Sequence, residues 1–181
     1  MKQLFPVGLG PGQDPAKDAA NWDAVEEATE LLGEGRVPDA MLALRDVIKA
    51  HPNNPYAYNF LGVAFFEIKN LEGARDAYRA AVRLAPDYLG ARVSLSNVLR
   101  LLGDHDGALR EARAVLRRFP KDAEALHAAG MAHAAKGDRR EAKKHLEGFL
   151  ARGPELEAQL EVKQVLEMLG LGEEGEPLDI D

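Results

Sequence analysis

The chain contains no cysteine, which excludes disulfides, thiol nucleophiles and cysteine-ligated metals. That absence does not decide the compartment. There is no run of about 18 apolar residues, so no segment is built to span a membrane. Basic side chains are in deficit: 23 Lys and Arg stand against 30 Asp and Glu, for a net charge of −7. Such a balance lacks the positive footprint that phosphate backbones and anionic membrane surfaces attract, so nucleic acid is not expected as a partner. The start of the chain lacks the unbroken apolar stretch of a secretory signal. Pro6, Gly8, Gly10, Pro11 and Gly12 interrupt Phe5, Val7 and Leu9. The expectation is a cytoplasmic protein with a flexible tail over residues 1–20.

What is present is the mixture of a folded domain, 46% hydrophobic and 29% charged over 181 residues. The prolines reveal a repeat. Pro52, Pro86, Pro120 and Pro154 are each 34 residues apart. A proline cannot continue a hydrogen-bond ladder, so it separates one helix from the next. Ala40, Ala74, Ala108 and Ala142 form a second register of the same period. A small residue recurring there suggests a close helix crossing. Gly35, Gly103 and Gly137 form a third, with Lys69 at the corresponding slot and Asn70 beside it. Glycine and asparagine tolerate the left-handed conformation that stops a helix.

Three coincident registers of this period resemble the tetratricopeptide repeat family over about residues 21–156. The second repeat carries the resemblance best, with Tyr58, Leu61, Gly62 and Phe65, then Ala74 and Tyr78, then Pro86. The fourth is looser, with Leu126, Ala129, Gly130, His133, Ala142, Leu146 and Pro154. The third has Leu95, Ser96, Leu99, Ala108, Ala112 and Pro120, but Arg92 replaces an aromatic. The first has Ala24, Glu27, Ala28 and Leu31, then Ala40, Leu44, Val47 and Pro52. Divergence there fits an end repeat, which has one neighbour to cover.

The resemblance implies an all-α fold: a right-handed alpha-alpha superhelix, or solenoid, of four helical hairpins plus a C-terminal capping helix. The repeat domain is expected over 21–170, with repeats 21–54, 55–88, 89–122 and 123–156. Helices are expected at 21–34, 38–50, 55–68, 71–84, 89–102, 105–118, 123–136 and 139–152. The capping helix is expected over 155–170, with Leu156, Leu160, Val162, Val165, Leu166 and Leu169 inward. Residues 171–181 form an acidic tail expected to be disordered.

In this family the first helices of successive repeats line a concave groove that captures peptides. The resemblance therefore implies a groove of Tyr56, Asn59, Phe60, Val63 and Phe66. Val93, Ser94, Asn97 and Arg100 hold the equivalent places in repeat three, and His127 and Met131 in repeat four. Trp22 reads as a lid over the first hairpin. Tyr56, Phe60, Val63 and Phe66 make a second apolar stripe on their helix, so Phe60 and Phe66 fit either the groove or the packing between hairpins. The family's clamp for a terminal carboxylate needs cations that the corresponding positions, such as Val25, Thr29, Phe60, Gly90 and Ser94, do not supply. A more apolar ligand is expected.

No cofactor, metal site or catalytic constellation is assigned. His127 and His133 are six apart, on different sides of one helix, and the zinc pattern His-Glu-x-x-His is missing. His133 holds an aromatic core position of its repeat. The expected function is an interaction scaffold or adaptor binding a protein or peptide partner, not an enzyme. The alternative is a self-assembling scaffold, a homo-oligomer joined through its ends, its outer surface or its N-terminal tail.

Overall fold

The computed structural model describes residues 15–170, which form ten helices and no strand. Of the flexible tails expected over 1–20 and 171–181, residues 1–14 and 171–181 lie outside the described residues. The chain divides into two compact units at Gly103.

The first unit holds α1 (Pro15–Asp23), α2 (Glu26–Gly33), α3 (Val37–Ala50), α4 (Pro55–Glu67), α5 (Leu71–Leu84) and α6 (Leu89–Leu101). Helix boundaries follow local chemistry. Asn54 caps α4, its Oδ1 accepting from the N–H groups of Tyr56 and Ala57 at 3.0 and 3.3 Å. Asn70 caps α5 by accepting from Gly73 N–H at 2.9 Å. The left-handed stop before α5 falls on Lys69, with φ +62°, in register with Gly35 at +75°. Asn70 thus starts the next helix instead of ending the last.

Helix α1 is a departure from expectation, since the sequence reads residues 15–20 as tail. Nine residues are too few to hold a helix in water unaided. Docking supplies the rest: Asn54 Nδ2 donates to the Asn21 carbonyl at 2.7 Å, and the Tyr56 hydroxyl donates to Asp18 Oδ1 at 2.7 Å. The same contact explains why the helix expected over 21–34 is broken. The Asn21 carbonyl, the i−4 acceptor for Val25 N–H, is occupied by Asn54. Val25 N–H bonds the Trp22 carbonyl instead, at 3.0 Å, and α2 starts afresh.

The core of this unit gathers Val25, Ala28, Leu44, Tyr56, Ala57, Phe60, Ala81, Ala85, Tyr88 and Ala91. The recurrent alanines Ala40 and Ala74 are fully buried, as the crossing argument requires. Gly62 marks a close approach of α4 to α5. A Cβ there would come within 2.6 Å of the Tyr78 ring.

The second unit holds α7 (His105–Arg118), α8 (Ala123–Lys136), α9 (Arg139–Leu150) and α10 (Leu156–Met168). Asp104 and Asp122 cap α7 and α8, accepting from Gly107 and Ala125 N–H at 2.8 and 2.9 Å. Gly137 closes α8 with φ +77°. Gly130 repeats the role of Gly62, with Leu146 as its close neighbour across the α8–α9 hairpin. Leu146, Phe149, Val162 and Leu166 form the core here. Leu156 and Leu160 do not join it: they are 69% and 52% exposed. Val162, Val165 and Leu166 already fill the side of α10 that meets α9, and at 100° per residue Leu156 and Leu160 fall on the opposite side.

Candidate functional site

The first unit contains an apolar recess of about 250 Å³ lined by Trp22, Thr29, Glu30, Leu32, Phe60 and Val63. Its floor is Phe60, packed edge-on against Trp22 with ring centroids 5.9 Å apart. Val63 lies three residues beyond Phe60 on α4, on the same side of the helix. Thr29 turns its hydroxyl back to the Glu26 carbonyl at 2.7 Å, which leaves its methyl as the surface it presents. Glu30 is exposed and supplies the one charge of the lining.

The structure distributes the expected groove residues unevenly. Phe60 and Val63 come together in the recess. Tyr56 does not: it is 3% exposed, bonded to Asp18 and packed against Trp22 and Tyr88 at 5.5 and 5.3 Å. The arrival of α1 covers it. Burial and then the neighbouring Asp18 carboxylate push the Tyr56 phenol above its ordinary value, so it stays neutral and donates. Asn59 is 2% exposed, and its Oδ1 has no hydrogen-bond partner. It sits one turn before Val63 on the same face of α4. Phe66 is half-buried, with the Lys69 ammonium 5.5 Å from its ring centroid.

On α6, Val93 is buried, while Ser94, Asn97 and Arg100 are half-buried. Ser94 hydrogen-bonds Tyr78. In the second unit, Met131 packs on the Leu146–Phe149 cluster. His127 lies against the Phe149 ring at 4.8 Å, with Glu161 3.9 Å from its Nε2.

The reading from sequence missed Glu30 and Leu32 as recess residues. Leu32 carries no motif; only the position of α2 against α4 reveals it. Trp22, expected as a lid over the first hairpin, packs its ring on Tyr56 and Phe60 of α4 and forms a wall of the recess.

Paired helices closed by small residues, repeated at a fixed period, define a helical-repeat protein of the interaction-scaffold class. The tetratricopeptide repeat model matches residues 25–88 and 94–138, and the chain belongs to that family. The fold is that of tetratricopeptide solenoids. Among solved structures it is similar to MamA of Desulfovibrio magneticus RS-1 from residue 41 to the end: TM-score 0.71, 17% identity, 86% of each chain covered. It is also similar to PilW, a widely conserved type IV pilus biogenesis factor: TM-score 0.75, 19% identity, 84% of this chain and 71% of that one covered. Human superkiller complex protein 3 is 32% identical over 75 residues, which are 41% of this chain and 5% of that protein. The chain therefore spans only a small part of that relative. Among the described residues no helix is long and apolar enough to cross a membrane.

Proposed function

We propose that this chain is an adaptor that seats an apolar side chain of a partner peptide or helix in the recess of its first unit. The observation that carries this reading is the recess formed by Phe60, Val63, Trp22 and Leu32. At about 250 Å³ it falls below the range of small-molecule sites and suits one large apolar anchor. Glu30 at its edge favours a cationic residue beside that anchor. Asn59, with its unmet acceptor one turn away, adds a polar group to the same face of α4. Action by binding rather than catalysis, and a cytoplasmic setting, belong to the same proposal.

Trp22 is the only tryptophan, so its fluorescence reports directly on the recess. Peptides selected by display against the full chain should change its emission on titration. Val63→Glu should weaken that binding about tenfold or more while helicity persists. Selected peptides that bind the Val63→Glu variant equally well would overturn the reading.

A second reading, association between copies, is supported by uncovered apolar surface. Leu42 is 52% exposed over a cleft of about 700 Å³ shared by α2 and α3, and Leu156 and Leu160 are exposed on α10. Exposed apolar faces of this kind mark interaction sites. Light scattering across concentration decides it. A monomer at every concentration ends this reading, and a dimer dispersed by Leu42→Glu or Leu160→Glu supports it.

A further inference from the structure

The last hairpin brings together three side chains of metal-ligand type. His133 of α8 and Glu141 and His145 of α9 each place a ligand atom within 4.8 Å of the other two. Glu141 and His145 are one turn apart on α9. The His133 and His145 rings stack, with centroids 5.4 Å apart and planes 24° from parallel.

Both imidazoles are held from behind. His133 Nδ1 lies 3.0 Å from Asp138 Oδ2, and His145 Nδ1 lies 2.8 Å from the Glu141 backbone oxygen. A carboxylate and a carbonyl only accept, so the tautomer inferred for each neutral ring carries its proton on Nδ1 and a lone pair on Nε2, while the Glu141 carboxylate faces the Nδ1 side of His145, its Oε2 3.9 Å from that nitrogen. Asp138 is an outer partner of the kind that orients a metal-bound histidine and raises its basicity. His133 is 3% exposed, and its Nε2 is buried with no hydrogen-bond partner. A buried nitrogen of this kind calls for a partner. His145 and Glu141 lie nearer the surface, which leaves an ion a way in. Lys144 Nζ, 3.8 Å from Glu141 Oε2, is the cation that an ion would displace.

We propose that His133, His145 and Glu141 bind one divalent transition-metal ion, zinc by chemistry, and so tie α8 to α9. Two imidazole nitrogens and one carboxylate are a zinc donor set, with the fourth place left to water. Zinc bonds of about 2.0–2.2 Å demand a tighter cluster than the 4.8 Å separation, so binding draws in the surface pair and turns the His145 ring off the Glu141 carbonyl to bring its Nε2 toward His133. Packing holds His133 in place. The site lies in the second unit and shares no residue with the recess, so either proposal can fail alone.

The test is calorimetric titration of zinc into the untagged full chain against a competing chelator, with melting followed in parallel. One zinc per chain and a raised melting temperature are expected. His145→Gln should weaken binding about a hundredfold and Glu141→Gln about tenfold, both with native circular dichroism. Asp138→Asn, which frees the back of His133, should weaken it about tenfold. The proposal is overturned if the wild-type chain shows no saturable uptake. It is equally overturned if the double variant His145→Gln, Glu141→Gln keeps the affinity and the melting shift.

Discussion

The Tyr56 hydroxyl donates to the Asp18 carboxylate at 2.7 Å, and both groups are buried although 38 residues separate them in sequence. This bond fastens α1 to α4 and closes the space above Tyr56. Tyr56→Phe removes the donor and leaves a buried carboxylate without it. We expect a loss of about 1–3 kcal/mol in denaturant melts. Faster amide exchange confined to residues 15–23 should accompany it. Exchange unchanged in α1 would show that the bond does not hold this helix.

The close approach at Gly62 sets a second expectation. Gly62→Ala drives a methyl into the Tyr78 ring and should cost about 1–3 kcal/mol. Gly33, also helical, has nothing within 4 Å of an added Cβ. Gly33→Ala should therefore stabilise by about 0.5–1 kcal/mol, because it restricts the unfolded chain. Equal effects of the two substitutions would refute the packing argument.

Lys69 adopts φ +62°, a conformation that costs a residue with a Cβ about 1–2 kcal/mol. Lys69→Gly relieves this and forfeits an exposed cation–π contact to Phe66 of about 0.5 kcal/mol. A net gain on the order of 0.5–1 kcal/mol is expected in thermal or denaturant melts. A loss would mean that the Phe66 contact outweighs the strain.

Alkaline pH should unfold the chain steeply. Burial raises the phenols of Tyr56, Tyr78 and Tyr88 above their ordinary value of 10. The protonated form is the one the native state keeps, so this stability is fully present below pH 10. It is lost as pH rises further, since only the unfolded chain ionises. Each such tyrosine contributes a slope of up to about 1.4 kcal/mol per pH unit. Absorbance at the tyrosinate band should therefore rise together with loss of helicity. Ionisation of these tyrosines well before unfolding would contradict the burial described.

Helix limits were legible because they depend on neighbours in sequence. Prolines 34 apart and left-handed glycines at 35, 103 and 137 act within one turn of the backbone, as do the caps Asn54, Asp104 and Asp122 that the structure adds. They place α3 to α9 within a residue or two of where they stand. The 34-residue period likewise implied which alanines would be buried, since Ala40, Ala74, Ala108 and Ala142 must all fit the same crossing.

Exposure was decided elsewhere. Whether Tyr56 or Val63 meets solvent depends on α1, whose nine residues are held as a helix by contacts to Asn54, Tyr56 and Phe60 more than 30 residues away. Whether Leu160 packs or stays open depends on which side of α10 reaches α9 first. His133, Glu141 and His145 share no linear pattern, because a hairpin brings their ligand atoms together across two helices. Local chemistry determines where a helix starts and stops; only packing between distant segments determines which of its faces is left for a ligand.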